Sequence, residues 1–164
     1  MMRYLMRLKR KEDPMIIHIY MKAVSKERPR VGRSGHIYTP PRTQKFEKTI
    51  AEAAKTLRRE PYTCPVKVCV GIYEPVPKSY PKWKKLGAEL GMLSPPVGDL
   101  DNKVKAITDG LNGIAYLDDR QINYIIATRT YGDEHTIHIQ VERNGLSLGE
   151  VERYVKSNNV KGGT

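Results

Sequence analysis

Between positions 98 and 122 the chain reads GDLDNKVKAITDGLNGIAYLDDRQI. Its apolar residues fall at Leu100, Val104, Ile107, Leu111 and Ile114, spaced four, three, four and three apart. That spacing lines one face of a helix, and Asn112-Gly113 supplies its stop. A short turn then leads straight into INYIIATRTYG, an apolar, β-branched run that reads as a strand from Ile122. A helix with one stripe to bury, joined closely to a strand, demands a sheet for the helix to lie on.

Other segments supply that sheet. MIIHIYMKAV from Met15 and CPVKVCVGIYEPV, with Val66, Val68, Val70 and Ile72 alternating, both read as strands. HTIHIQVE follows the strand at 122–131, the two being joined at Gly132-Asp133. The Arg-rich stretch SKERPRVGRSGHIYTPPR suggests a hairpin turning at Gly32-Arg33-Ser34-Gly35. Residues 43–60 place Phe46, Ile50, Ala53, Ala54 and Leu57 at helical spacing, with Thr43 as the expected cap and Pro61 beyond the end. A long basic connection spans 77–98, with a short helix near 81–90. Residues 143–164 are polar and read as a flexible tail with a short helix at 147–156. At 164 residues the chain is the size of one compact domain. The expected class is α+β, with a mixed β-sheet and two main helices.

No apolar run is long enough to span a bilayer, and MMRYLMRLKRKEDP lacks a signal-peptide core and cleavage site. Cys64 and Cys69 lie five apart in an expected strand and cannot bridge locally. Both features suit a cytoplasmic protein with buried thiols. His18 and His36 read as isolated polar residues, and His135 with His138, three apart in a strand, makes a poor metal pair.

Charge narrows the partner. Lys and Arg number 29 against 18 acids, a formal charge of +11, which favours an anionic partner such as nucleic acid. One basic band comprises Lys22, Lys26, Arg28, Arg30, Arg33, Arg42 and Lys45, with Tyr38 among them. A second joins Lys78, Lys82, Lys84 and Lys85 to Tyr80 and Trp83. Both are suited to phosphate contact. Trp83 has two readings at this level: a wedge into branched DNA, or packing of its loop against the sheet.

Against this basic background, Asp99, Asp101, Asp109, Asp118 and Asp119 crowd the helix and its flanks. Asp99 and Asp101 face the same way if the chain is extended there, with Leu100 turned into the core. The helix is therefore expected to start at Asp101, with Asp101 as N-cap. The returning strand is expected to bring 99–101 and 118–119 to one end of the unit, where the carboxylates converge. Such a hard-oxygen cluster suits Mg²⁺ or Mn²⁺. The plainer reading is a helix cap followed by a turn. Lys105 fits either a helical ion pair with Asp101 or Asp109, or a cation beside a phosphate under attack.

At these residues DLDNKVKAITDGLNG followed by YLDDRQI resembles the RusA-type Holliday-junction resolvases, through Asp99, Asp101, Asn102 and Lys105, then Asp118, Asp119 and Gln121. Asp109, the basic segment 22–47 and the loop PVPKSYPKWKK look like the family's as well. The likeness covers roughly 15–142, leaving 1–14 as an N-terminal extension. The resemblance implies a homodimeric, Mg²⁺-dependent endodeoxyribonuclease that binds four-way junctions of double-stranded DNA and cuts two strands symmetrically. It implies catalytic, metal-binding roles for Asp99, Asp101 and Asp119, with Asp118 the weaker of its pair, and places Lys105 near the scissile phosphate. The DNA contacts expected beside them are Lys26, Arg28, Arg30, Arg33, Arg42, Lys82, Lys84 and Lys85. The rival readings are a catalytically silent junction binder, or a nuclease acting on another branched DNA or on RNA.

Overall fold

The computed structural model of the chain describes residues 13–57 and 60–157. Its order is β1 (Met15–Ile19), β2 (Arg30–Val31), β3 (Ile37–Tyr38), α1 (Pro41–Lys55), β4 (Val66–Pro75), α2 (Lys82–Glu89), α3 (Leu100–Leu111), a 3-10 turn (Asp119–Gln121), β5 (Ile122–Gly132), β6 (Thr136–Arg143) and α4 (Leu148–Ser157). This is a mixed α+β fold. A four-stranded sheet runs β1-β6-β4-β5, and β2-β3 form a separate hairpin. β4 is antiparallel to β6 but parallel to β5. The parallel pairing requires the long crossover that carries α2 and α3. β5 and β6, neighbours in sequence, are separated by β4.

One sheet face is covered. Val66, Val68, Val70 and Ile72 from β4, with Ile137, Ile139 and Val141 from β6, form one core with Phe46, Ile50 and Ala54 of α1 and Val104, Ile107 and Leu111 of α3. Each large apolar side chain so buried contributes about 1.5–3 kcal/mol. α1 and α3 pack so closely that a Cβ on Gly110 would lie 2.8 Å from the Glu47 carbonyl oxygen and 2.9 Å from the Ile50 Cβ. Only glycine fits that approach without displacing backbone.

Beside this core lies a charged pair. Lys103 Nζ donates to Glu74 Oε1, and the two side chains are only 4% and 11% exposed. β4 ends its buried face on Glu74, and α3 answers with a cation inside its apolar stripe. With so little of either side chain exposed, each charge depends mainly on the other, and removing one leaves the other poorly compensated.

Several expectations are corrected. α1 begins at Pro41, not Thr43, with Pro40 at the N-cap position. Proline at N1 has the right φ and no N–H to leave unpaired. Thr43 instead turns inward, fully buried, with no hydrogen-bond partner for its Oγ1. α1 stops at Lys55, so Leu57 is outside it and exposed. α3 begins one residue before the position expected. Asp99, extended at φ −81° and ψ 139°, takes the N-cap place and Asp101 sits in the first turn. Cys64 precedes β4 rather than lying in it, and neither Cys64 nor Cys69 is in a disulfide.

His18 is not isolated. It is opposite His138 in the β1–β6 register, with ring centroids 4.3 Å apart, and Tyr73 lies 5.0 Å from His138. Burial first and His18 second hold the His138 pKa below its ordinary value. Beyond β6, Leu148–Ser157 form α4, within one residue of the short helix expected at 147–156. Glu150 accepts from the Ser147 N–H and hydroxyl and pairs with Arg143, tying the helix start to the end of β6. Most of the proposed extension 1–14 lies outside the described residues.

Candidate active site

The segment before α3 is held from the sheet. Arg129 on β5 donates to the carbonyls of Pro95, Val97 and Gly98, which fixes the chain just ahead of Asp99. Gly98 has φ +80°, and a Cβ there would lie 3.0 Å from Ser25 Oγ and 3.2 Å from Lys103 Cε. A left-handed, crowded position of this kind selects glycine. Asp99 and Asp101 then stand exposed at the α3 N-terminus, whose dipole favours negative charge. Asn102 Nδ2 reaches Asp99 Oδ2 at 3.5 Å. Lys22, Arg42 and Gly98 line one cleft, so the start of the first basic band flanks this end of α3.

Asp118 and Asp119 occupy a different place. Asp118 caps the 3-10 turn: its side chain accepts from the Arg120 N–H at 2.9 Å, while Gln121 Oε1 accepts from the Asp118 N–H at 3.0 Å. Arg120, through its N–H and then its guanidinium, holds the Asp118 carboxyl below the usual carboxylate range. Gln121 also donates to the Tyr62 and Cys64 carbonyls, both at 2.9 Å, which ties the turn to the chain ahead of β4. Asp119 is exposed beside this clamp. Tyr116, buried with its hydroxyl donating to the Thr108 carbonyl at 2.7 Å, has its pKa raised by burial, then by Asp109 and Asp119.

The two aspartate groups are thus at opposite ends of the molecule. Ile122 pairs with Val66 at the start of the parallel β4–β5 ladder, and Arg129 pairs with Ile72 seven residues on. Asp118–Asp119 belong to the first end, and Asp99–Asp101, held through Arg129, to the second. At about 3.3 Å per strand residue the separation is on the order of 20 Å. The twelve residues of α3 run the same distance back. Among the described residues no group of three or more His, Cys, Asp or Glu is placed to hold a metal ion. The expected convergence within one chain is therefore corrected. A helix followed by a returning strand brings the helix start to the end of that strand, not to its beginning. Asp99 and Asp101 place two exposed carboxylates, hard oxygen donors of the kind divalent cations take, at the start of α3.

Between the ends lies a cationic network. Lys105 is exposed, with Nζ 3.6 Å from Asp109 Oδ1. Lys26 faces inward, 2.8 Å from Asp109 Oδ2 and paired with Glu47. Burial pulls the Lys26 pKa down, and the bonds to Asp109 and Glu47 more than offset it, leaving it above the ordinary lysine value. Lys26 is therefore a strut between α1 and α3, and its expected place among free phosphate contacts is corrected. Arg28, Arg30, Arg33 and Arg42 are exposed on or beside the hairpin, Arg30 being 3.2 Å from Glu27. Lys82 is exposed on α2, while Lys84 lies 4.0 Å over the Tyr80 ring. Lys85 is half-buried. Sequence reasoning missed Arg129 and Lys103. Their signal was a lone cation within an otherwise apolar strand or helix face. No helix among the described residues is long and apolar enough to cross a membrane.

The chain matches the family described as Endodeoxyribonuclease RusA over residues 21–142. It is 35% identical over 130 residues to the uncharacterized protein YqaN of Bacillus subtilis (strain 168), an alignment covering 75% of this chain and 92% of that relative.

Proposed function

The chain belongs to the RusA endodeoxyribonuclease family, and from that premise we propose a Mg²⁺-dependent endonuclease that binds four-way DNA junctions as a homodimer and cuts two strands symmetrically. The observation that carries the dimeric reading is the separation of the carboxylates. Asp99 and Asp101 at one end and Asp119 at the other are two halves of a ligand set. A second copy completes both.

The free edge of β5 offers the geometry. β5 is the last strand of the sheet, and Tyr124, Ile125 and Ile126 on it are 54%, 49% and 44% exposed. A long apolar edge of this kind invites pairing with another strand. Antiparallel pairing of two β5 edges about a two-fold axis sets the start of each strand beside the end of its partner. Asp119 of one protomer then approaches Asp99 and Asp101 of the other, twice over. β4 lies inside the sheet with both edges already paired, so it offers no such edge.

In this reading Asp99, Asp101 and Asp119 hold the divalent ion, and Asp118 serves mainly as the cap of its turn. The ion, when bound, polarises the phosphodiester and makes an attacking hydroxide available at neutral pH. Lys105, exposed one turn into α3, offsets charge that develops on the phosphate. Arg28, Arg30, Arg33, Arg42, Lys82, Lys84 and Lys85 supply salt-sensitive contacts to the DNA backbone.

The test is a panel of end-labelled four-way junctions, flaps, linear duplexes and RNA duplexes, incubated with the protein in Mg²⁺ and separately in Mn²⁺. Paired nicks at opposed positions in the junction, with the matched duplex intact, are expected. Tight junction binding with no cleavage in either ion would make the protein a silent binder. Faster cutting of flaps or RNA would move it to another substrate.

A further inference from the structure

Trp83 is 72% exposed on α2. Of the two readings open at sequence level, packing against the sheet is therefore excluded. Leu86 and Leu90 follow at helical spacing and are 55% and 65% exposed. Three large apolar residues thus make an outward stripe, while Ala88 is the one buried residue of α2. Nothing in the described chain covers this stripe.

The helix is nonetheless firmly seated. The Tyr80 and Tyr131 hydroxyls are 3.1 Å apart, joining the chain before α2 to the end of β5. Lys84 lies over the Tyr80 ring at 4.0 Å. After α2 the chain runs into the 95–98 segment that Arg129 holds ahead of Asp99. The stripe therefore sits on a fixed arm at the same end of the sheet as Asp99 and Asp101.

Its surroundings select the occupant. From residue 78 to 89 four lysines stand against one acid, Glu89. An apolar surface framed by lysines suits a polyanion that exposes flat apolar faces, and unstacked nucleic-acid bases are such a surface. A branch point is where junction DNA offers bases with an open stacking face. We propose that the α2 stripe, led by Trp83, is a wedge that stacks on bases at the branch point while the neighbouring lysines hold the flanking phosphates. The inference rests on the reading of the protein as a junction-binding nuclease, and it assigns what that site uses to tell a branch from plain duplex.

Trp83 is the sole tryptophan of the chain, so its own emission reports the contact. The full chain is titrated in Ca²⁺ with a four-way junction and with a linear duplex of the same arm sequence, occupancy being read in parallel from the anisotropy of labelled DNA. At equal occupancy the junction should quench Trp83 strongly and the duplex should leave it unchanged. Trp83→Ala should weaken junction affinity by about tenfold and Trp83→Phe by much less, because stacking needs an aromatic face. Duplex affinity and melting temperature should not move with either variant, since the side chain is exposed. Bound junction with unchanged emission would overturn the wedge, as would equal quenching by duplex. So would Trp83→Ala binding the junction at wild-type strength, or emission that responds to anionic lipid vesicles and not to DNA. If the wild-type chain shifts no junction at all, the junction-nuclease reading itself has failed and the wedge falls with it.

Discussion

Asp101→Asn lowers junction cleavage by about a hundredfold or more and leaves junction binding intact. Asn has the size of Asp, and Asp101 stands exposed in the first turn of α3, so the fold loses little. The lost helix-dipole interaction costs about 0.3–1 kcal/mol. What disappears is a negative charge and a strong ligand for Mg²⁺. DNA affinity holds or rises, because a repulsion with phosphate has gone. Asp99→Asn and Asp119→Asn behave alike. Asp118→Asn acts less on cleavage, because the Asp118 carboxylate already caps its own turn. Gel shifts in Ca²⁺ and cleavage in Mg²⁺, on the same preparations, separate the two effects. The plainer reading of these residues as cap and turn requires near-normal cleavage by all four variants.

Lys103→Met destabilises the protein by about 3–5 kcal/mol, because it leaves Glu74 buried with its partner gone. The Glu74 side chain is 11% exposed, so water cannot replace the ammonium fully. Replacing both partners, as Lys103→Met with Glu74→Leu, recovers most of the loss, since no buried charge then remains. Denaturant unfolding at neutral pH measures both. A single variant within about 1 kcal/mol of wild type would mean that Glu74 finds another partner or reaches solvent. At the α3 N-terminus a Cβ on Gly98 would lie 3.2 Å from Lys103 Cε, so the paired lysine also leaves no room for a side chain there.

Local features of this fold were legible because local pattern determines them. The four-three spacing from Leu100 to Leu111 marked α3, and alternation from Val66 to Ile72 marked β4. The outward positions of Asp99 and Asp101, with Leu100 turned toward the core, were legible for the same reason. Long-range placement was not. The insertion of β6 between β1 and β4, and with it the contact of His18 with His138, depends on strand pairing that no single segment encodes. The ion pair of Lys103 with Glu74 joins residues 29 apart, and each looks like a surface charge in its own segment. α4 was expected only as a short helix in a loose tail because its anchor, Glu150 on Arg143, reaches back to β6. The direction of α3 against β5 was the costliest omission. The pattern marked both elements correctly, and the expected convergence failed only because the helix start meets the strand end.

That geometry gives the account its most direct test, in mixed dimers of Asp101→Asn and Asp119→Asn. If each site takes Asp99 and Asp101 from one protomer and Asp119 from the other, a mixed dimer carries one site with both defects and one site with none. Co-refolding two variants that are each inactive should then restore single-strand nicking of a junction, with about a quarter of the wild-type number of intact sites at random pairing. Paired cuts should stay rare, because each mixed dimer keeps one working site. If both substitutions fall in sites built within single chains, every site in the mixture is defective. A co-refolded mixture that forms mixed dimers and stays as inert as its parents would contradict the account.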